Sequence, residues 1–246
     1  MGLKGKLTKA KMGTNMPVDA PAYADAPFHF KGSRFLRFDY ETNADTAAEL
    51  IPEQLQLMDP PTAFLLINDY PWSTFGPYKE AILGVNVLFG TQPLHYLSHL
   101  MLDSSCPILG GREIYGVPKK MGVVDIIQHE DVIAGYVERP KGIRICSGVL
   151  RPEQPLDAPP AGTALNACTL RVIPSPEKDK AHSLVELIQE DMILSSAEMW
   201  SGPGNCHFAG ISVLDPWHNL PVANMISATY MVCDWTLSPG KILVTL

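Results

Sequence analysis

The 246-residue sequence lacks the cysteine patterns that stabilise small secreted domains and zinc proteins. Its five cysteines are odd in number and scattered, and no two are spaced as CxxC. Neither a disulfide framework nor a zinc cluster is therefore expected. We predict instead that each cysteine is a small buried hydrophobic side chain.

Basic clusters and long apolar runs are also missing. The chain has 19 Lys+Arg against 26 Asp+Glu, and its formal net charge is −7. No basic run is interleaved with aromatic residues, which argues against nucleic-acid binding. No apolar run approaches the ~18 residues of a membrane-spanning helix, and the first residues lack the hydrophobic core of a signal peptide. We expect a cytoplasmic protein that binds neither nucleic acid nor membranes.

Short apolar segments between chain breakers make up most of the sequence. The 22 prolines and 19 glycines disfavour a helical bundle. Segments rich in Val, Ile, Thr and aromatic residues are typical of strands. They lie at 34–42, 62–70, 78–89, 94–103, 121–129, 132–138, 143–150, 164–173 and 225–237.

These segments predict one large sheet that closes into a barrel, because closure removes the exposed edge strands. The gaps between them are too short for the crossover helices of a βαβ fold. We predict a single domain over 1–246, with 1–27 as a surface arm. Asp45 and the residues after it predict a short helix that ends before Pro52. Segment 181–200 stays ambiguous between helix and strand.

The most informative stretch is GGREIYGVPKK at 110–120. Pro118 has a fixed φ and biases Val117 towards an extended conformation, so a stiff segment presents the two lysines that follow. Adjacent lysines usually belong to a solvated turn. Here the pair lies between two apolar segments, in a chain with few lysine clusters, and both facts weaken the interpretation as a solvated turn.

Four regions of the sequence resemble the acetoacetate decarboxylase family. They are GREIYGVPKKMG at 111–122, MWSGPG at 199–204, LDPWHNLPV at 214–222, and segment 28–52 together with the strand that holds Glu80. The resemblance covers nearly the whole chain. It implies a mainly β (α+β) fold, a cone-shaped closed β-barrel with a few peripheral helices. It also implies a lysine Schiff base in the barrel and a homo-oligomer. We expect neither a cofactor nor a metal.

By that resemblance Lys119 is the Schiff-base lysine, and Lys120 and Glu80 complete the catalytic set. A lysine amine in water is almost fully protonated at neutral pH, so the reaction requires a setting that favours the free amine. In a strand, successive side chains point to opposite faces, which would direct Lys120 away from Lys119. We therefore expect burial to favour the free amine more than the neighbouring cation does.

Two positions depart from the family pattern. The arginine that binds the substrate carboxylate falls on Ser33, with Arg34 one place later, and a second glutamate falls on Leu65. A one-residue shift in a strand reverses the face, so Arg34 takes the role only if the register slips. Tyr230, on an apolar strand, is the other candidate for substrate binding, although a core tyrosine would look the same.

The function expected is that of a lyase which decarboxylates a small β-keto acid of the acetoacetate type. The alternatives are a pyruvate-dependent aldolase-dehydratase that forms an unsaturated keto acid, and a keto-acid-binding module without catalysis. Three other interpretations are disfavoured. His95 and His99 lack a matching carboxylate for a metal site. Cys106 lacks a base partner that could make it a nucleophile. The GGRE segment follows neither the Walker spacing nor the dinucleotide-binding spacing of a phosphate-binding loop.

Overall fold

The computed structural model describes residues 2–210 and 212–246. Its helical segments are a 3-10 turn at Lys9–Lys11, α1 (Ala44–Ala48), α2 (Ser105–Gly110), a π-helical turn at Gly111–Tyr115 and a 3-10 turn at Trp217–Asn219. Its strands are β1 (Phe28–Glu41), β2 (Gln56–Leu57), β3 (Thr62–Tyr70), β4 (Trp72–Ser73), β5 (Tyr78–Phe89), β6 (Gln92–Leu102), β7 (Lys119–Met121), β8 (Val123–His129), β9 (Val132–Glu138), β10 (Arg144–Leu150), β11 (Gln154–Leu156), β12 (Ala164–Pro174), β13 (His182–Ser201), β14 (Gly204–Phe208), β15 (Asn224–Leu237) and β16 (Lys241–Thr245).

Seven strands close into the barrel that the sequence predicts. Their order is β5-β3-β1-β15-β13-β12-β6, and β6 pairs back with β5. All of these pairings are antiparallel except β12 with β6. The short strand β7 pairs in parallel with the end of β6 and so reaches the barrel wall. This arrangement confirms the prediction of a mainly β barrel with few helices.

A second, four-stranded antiparallel sheet has the order β14-β10-β9-β8. The core cluster that includes it also holds Leu36 and Phe38, on the outer face of β1. A separate aromatic cluster, with Phe30, Phe35 and Trp235, occupies the barrel interior. Alternate residues of each barrel strand therefore belong to two different apolar cores, which explains the nearly continuous hydrophobicity of β3 and β5.

The predicted strands at 62–70, 78–89 and 132–138 match β3, β5 and β9. The ambiguous segment is resolved as β13, a strand of 20 residues. The short helix is α1, but its N-cap is Asn43 rather than Asp45, because the Asn43 side chain accepts a hydrogen bond from the backbone N–H of Thr46. The helix is five residues long and ends at Ala48, before Pro52 as predicted.

A register shift in β6 separates the two histidines that strand alternation would place together. Leu83 pairs with His99 and Gly84 pairs with Leu97, so one extra residue, Ser98, lies between them. Such a bulge reverses the side-chain alternation beyond it. His95 therefore faces the barrel interior and His99 does not, although regular strand alternation would place both on one face.

The N-terminal arm contacts the segment that carries the lysines. Tyr23 is buried, and its hydroxyl donates a hydrogen bond of 2.6 Å to Glu113 Oε2. Asn15 is also buried, and its side-chain amide holds the arm by donating a 3.1 Å hydrogen bond to the Tyr23 carbonyl oxygen.

Among the helices of the described residues, none combines the length and apolarity needed to cross a bilayer.

Candidate active site

A cavity of about 170 Å³ lies inside the barrel. Most of its wall is aromatic or aliphatic, with side chains such as Phe30, Phe64, Phe75 and Trp235. A small set of charged or ionisable polar groups interrupts this lining: Arg37, Tyr70, Tyr78, Glu80, His95, Tyr115, Lys119 and Glu190. An apolar pocket with a few convergent polar groups is the usual form of a small-molecule site.

The segment between α2 and β7 directs Lys119 into this cavity. The π-helical turn ends at Gly116, which has φ +74°, and a Cβ there would lie 2.3 Å from Arg171. Only glycine fits this left-handed turn without strain. The Arg112 guanidinium donates a 3.2 Å hydrogen bond to the Lys119 carbonyl oxygen. The Arg112 side chain therefore braces the backbone of Lys119.

Gly111 makes room for the lysine side chain itself. A Cβ built on Gly111 would lie 2.8 Å from both Cδ and Cε of Lys119 and 3.1 Å from Nζ. The backbone of Gly111 is ordinary right-handed helix, at φ −62° and ψ −44°. The need for glycine at this position is thus steric, because the aliphatic stem of Lys119 occupies the space of a side chain.

Lys119 and Glu80 form a buried pair at one end of the cavity. Lys119 Nζ lies 3.0 Å from Glu80 Oε1, and the two residues are 9 % and 4 % exposed. This contact is electrostatic rather than a well-directed hydrogen bond. The Tyr70 hydroxyl donates to Glu80 Oε2 at 3.3 Å and accepts a 3.0 Å bond from Asn68. Burial, and then the Glu80 charge, raise the pKa of Tyr70 well above its ordinary value, so this phenol stays protonated.

Aromatic rings surround the lysine amine on its other side. Lys119 Nζ lies 5.8 Å from the centroid of the Tyr78 ring, within the range of a cation–π contact. Burial and the nearby Glu80 raise the pKa of Tyr78 well above its ordinary value as well. The amine therefore lies against the Glu80 carboxylate and protonated aromatic side chains, and bulk water has little access to it.

Lys120 points out of the barrel, as strand alternation predicts. Its side chain is 44 % exposed, and Nζ donates to the Leu214 carbonyl oxygen at 2.6 Å and to Asp215 at 3.0 Å. Asp215 is buried and also pairs with Arg139 at 2.6 Å. The LDPW segment therefore holds the second lysine on the outer side of the wall, away from Lys119.

The two substrate-binding residues suggested by the sequence lie outside the cavity. Arg34 forms an ion pair with Asp69 on the outer face of β1. Tyr230 lies on β15 between Thr229 and Met231, which do line the cavity, so alternation turns the phenol outwards. The register therefore does not slip in the way that would bring Arg34 inside.

This chain has neutral side chains at the two positions where the family pattern has charged ones. Ser33 is fully buried, and its hydroxyl accepts a 3.0 Å hydrogen bond from the indole N–H of Trp235. Leu65 belongs to the outer core, whereas its neighbours Phe64 and Leu66 line the cavity. At neither position does this chain supply a charged side chain.

Arg37 is a cavity cation that sequence reasoning missed. It lies four residues after Ser33, on the same face of β1 as Phe35. Its Nε and Nη2 donate to Asp39 at 2.7–3.0 Å, and its guanidinium carbon lies 4.8 Å from the centre of the Phe64 ring. Within the part of the chain that the structure describes, Nη1 has no hydrogen-bond partner. Strand alternation counted from Ser33 would have placed Arg37 on the cavity face of β1.

Glu190 is a second carboxyl group in the cavity that was not singled out. Burial raises the pKa of Glu190 from 4.5 to about 7, opposed by the Lys119 charge and reinforced by Glu80. It lies in β13, the segment whose secondary structure the sequence left open. Assigning this segment as a strand would have placed Glu190 and Met192 on one face, and both line the cavity.

The histidines do not form a metal site with other residues. Burial lowers the pKa of both His95 and His99 to about 4, and nearby cations add to the effect. His95 Nδ1 lies 2.7 Å from the Asn86 side chain. Over residues 2–210 and 212–246, no group of three His, Cys, Asp or Glu side chains is arranged to hold a metal ion.

Comparison with known proteins identifies relatives along the whole chain. The family model described as acetoacetate decarboxylase matches residues 15–245. An acetoacetate decarboxylase of Burkholderia lata is 30 % identical over 232 residues, which are 93 % of each chain. The decarboxylase DEC1 of Cochliobolus heterostrophus is 29 % identical over 242 residues, which are 96 % of each chain.

Solved structures show the same fold. The crystal structure of an acetoacetate decarboxylase from Legionella pneumophila has a TM-score of 0.85 at 24 % identity, covering 99 % of this chain and 98 % of that one. The enduracididine biosynthesis enzyme MppR in complex with pyruvate has a TM-score of 0.75 at 18 % identity, covering 94 % and 97 %. By the family match and the decarboxylase relatives together, the chain belongs to the acetoacetate decarboxylase family, a family of carbon–carbon lyases.

Proposed function

We propose that this protein decarboxylates a small β-keto acid through a Schiff base on Lys119. The observation that carries the proposal is the buried contact of 3.0 Å between Lys119 Nζ and Glu80 Oε1, inside an apolar cavity. The family membership supports the reaction class. The substrate is a keto acid, since an amine can condense with its ketone and a carboxylate can leave from the neighbouring carbon.

The Lys119–Glu80 contact provides a route to the reactive amine. The pair is neutral overall whichever partner holds the proton, so a proton can pass from the ammonium to the carboxylate without creating a net buried charge. The free amine then attacks the ketone carbon. Glu80, now protonated, can return its proton to the departing oxygen, which leaves as water. The product is an iminium cation on Lys119.

The iminium cation makes decarboxylation possible, because it accepts the electron pair of the breaking bond. The bond between the α-carbon and the carboxylate breaks, carbon dioxide leaves, and its electrons form an enamine. The apolar wall helps this step, since a carboxylate held away from water loses its charge more easily than a hydrated one. Lys120, on the outer side of the wall, takes no direct part.

Arg37 is the group best suited to attract the substrate carboxylate. It replaces the cation that the family pattern places at Ser33, on the same face of the same strand. Its Nη1 is free of protein partners among the described residues, while Asp39 fixes the rest of the guanidinium. A guanidinium held in this way loses little side-chain entropy when it binds an anion.

Replacing Arg37 with methionine should raise KM for a β-keto acid roughly 10- to 100-fold, as expected for the loss of one charge-assisted hydrogen bond. Binding of a neutral ketone such as acetone should change little. Steady-state kinetics and ketone trapping measure the two effects. Arg34→Met is the matched variant on the outer face of β1. If Arg34→Met raises KM and Arg37→Met does not, the sequence-based assignment of Arg34 is right.

Reductive trapping tests the Schiff base. Incubation with acetoacetate or acetone and sodium borohydride should add one alkyl group to the protein, located on Lys119 by intact mass and peptide mapping. Lys119→Met should abolish the adduct, whereas Lys120→Met should retain it because Lys120 lies outside the cavity. Reversible ketone binding without any adduct would overturn the proposal in favour of a non-catalytic binding module.

The aldolase-dehydratase alternative uses the same iminium. Pyruvate on Lys119 would lose a proton to give the enamine, which could attack an aldehyde and then lose water. A solved structure with this fold holds pyruvate, which is why the reaction needs a direct test. Growth of a conjugated ultraviolet band with pyruvate and an aldehyde, without carbon dioxide release from β-keto acids, would replace the decarboxylase assignment with this one.

A further inference from the structure

Glu190 is a buried carboxyl group that the steps above do not use. Its side chain lines the cavity and is 6 % exposed. Oε1 is buried without a hydrogen-bond partner among the described residues. Glu190 pairs in the sheet with Ala167, which in turn pairs with His95 on β6. The carboxyl group is therefore built into the barrel wall on rigid strands rather than on a loop.

An unpartnered buried carboxylate is costly, so this site favours the protonated acid. The charged and titratable groups around Glu190 are Lys119 (β7), Glu80 and Tyr78 (β5), His95 (β6) and Tyr115 (the π-helical turn) inside the cavity, and Cys168 (β12) and Asp191 of its own strand outside it. Of these, only Lys119 favours the carboxylate form by its charge. The pKa of Glu190, about 7, allows both protonation states near neutral pH.

Glu80 is already engaged on both of its oxygens. Oε1 contacts Lys119 and Oε2 accepts from Tyr70. Glu190 has a free oxygen and faces the same cavity. Two carboxyl groups in one site with different surroundings are the usual arrangement for separate acid and base roles.

We propose that Glu190 is the catalytic acid that protonates the enamine carbon after carbon dioxide has left. The inference rests on the proposed Schiff-base function and extends it to a residue that the family resemblance does not point to. Glu80 serves the amine and the departing water, and Glu190 serves the carbon.

The step balances as follows. The enamine nitrogen returns its electron pair towards carbon, the α-carbon forms a C–H bond with the proton of the Glu190 carboxyl group, and the iminium cation is restored. Glu190 is left as a carboxylate beside that cation. Water then adds to the iminium carbon, and the ketone leaves with the water oxygen. Of the two water protons, one completes the Lys119 amine and the other returns to the Lys119–Glu80 pair, which restores its starting state. Glu190 regains a proton from water, so the overall reaction consumes one proton from the solvent.

Hydrogen–deuterium exchange of acetone isolates this step, because exchange is the same proton transfer run in both directions. Acetone forms the iminium on Lys119, loses a methyl proton to Glu190, and takes back a deuteron. The wild-type protein in D₂O should exchange the acetone methyl protons, as followed by proton NMR. Glu190→Gln should lower the exchange rate by roughly 10²- to 10⁴-fold, the usual contribution of a general acid–base group.

The same Glu190→Gln protein should still form the borohydride adduct on Lys119, since glutamine fills the same space and leaves the Lys119–Glu80 pair in place. Asp191→Asn, on the next residue and the opposite face of β13, is the matched control, with exchange within about twofold of wild type. As a second variant, Glu190→Ala should recover part of the exchange when formate is added.

The possible outcomes separate this inference from the proposed function. If the wild-type protein forms no adduct, the Schiff-base proposal fails. If the adduct forms and Glu190→Gln exchanges acetone as fast as wild type, only the role of Glu190 is overturned. If Glu190→Gln loses the adduct and the exchange together while staying folded, Glu190 acts in imine formation and the assignment to the carbon is wrong.

Discussion

Gly111→Ala should lower kcat/KM by about 10²-fold or more while leaving the fold nearly as stable as wild type. The new methyl group would lie 2.8 Å from Cδ and Cε of Lys119, closer than carbon atoms approach one another. The lysine stem is flexible and can swing aside, so the cost to stability is small. The displacement moves Nζ away from Glu80, and misplacing a reacting group by about 1 Å can cost this much in rate.

The backbone at Gly111 makes this substitution a clean test. Its right-handed helical dihedrals suit alanine, which is favoured over glycine in a helix by about 1 kcal/mol. Thermal unfolding, borohydride trapping and decarboxylation rates should be measured on the same preparation. Leu109→Ala, an exposed change on α2 two residues earlier, is the control for general disturbance of the segment. Full activity in Gly111→Ala would mean that the reactive lysine does not lie against Gly111.

The opposite directions of Lys119 and Lys120 could be predicted because the local sequence dictates them. Pro118 and the strand that follows it determine that successive lysines face opposite sides, so one enters the barrel and the other leaves it. The alternation also explains why Arg34 and Tyr230 lie outside: each is flanked by a cavity residue on its own strand. What the sequence predicted well is thus the set of features that depend only on strand periodicity and one motif.

The missed residues depend on longer-range geometry. The bulge at Ser98 reverses the face of β6, and nothing in the residues from His95 to His99 announces it, because its register is set by pairing with β5. Glu190 was missed because a strand buried on both faces loses the clean alternation of apolar and polar residues. From the sequence alone, an acidic residue in such a strand looks like a solvent-exposed position, and only the closed barrel shows that it is buried.

Arg37 places a cation on the cavity face of β1 at a different position from the one in the family pattern. The family's cation at the Ser33 position and Arg37 are separated by two alternations, so both side chains point into the same barrel. With Ser33 bound to the Trp235 indole, the cation in this chain lies farther along β1, towards Phe64 and His95. A carboxylate bound to Arg37 therefore lies at a different place in the cavity from one bound at position 33. We expect this difference to change the size of the substrate that the cavity accepts.

Glu190→Gln should remove a pH dependence of stability that the wild-type protein shows between about pH 4.5 and pH 7. The pKa of Glu190 is raised from 4.5 to about 7 in the folded state, chiefly by burial. Between these values the unfolded chain has released the proton and the folded chain still holds it. The folded state therefore binds more protons, and the free energy of unfolding falls as pH rises, levelling off above about 7. The whole contribution is about 3 kcal/mol.

Urea unfolding of both proteins at pH 5 and pH 8 measures the effect. Glutamine has no proton to lose, so the stability of Glu190→Gln relative to wild type should increase by roughly 2 to 3 kcal/mol from pH 5 to pH 8. His95 and His99, whose pKa values are lowered to about 4, titrate in both proteins and cancel in the difference. Parallel stability curves for the two proteins would show that Glu190 is ionised in the folded state throughout this range, and it could not then serve as the acid. A variant that gains stability above pH 7 while it loses acetone exchange would show that the protein keeps this acid for catalysis at the expense of its own stability.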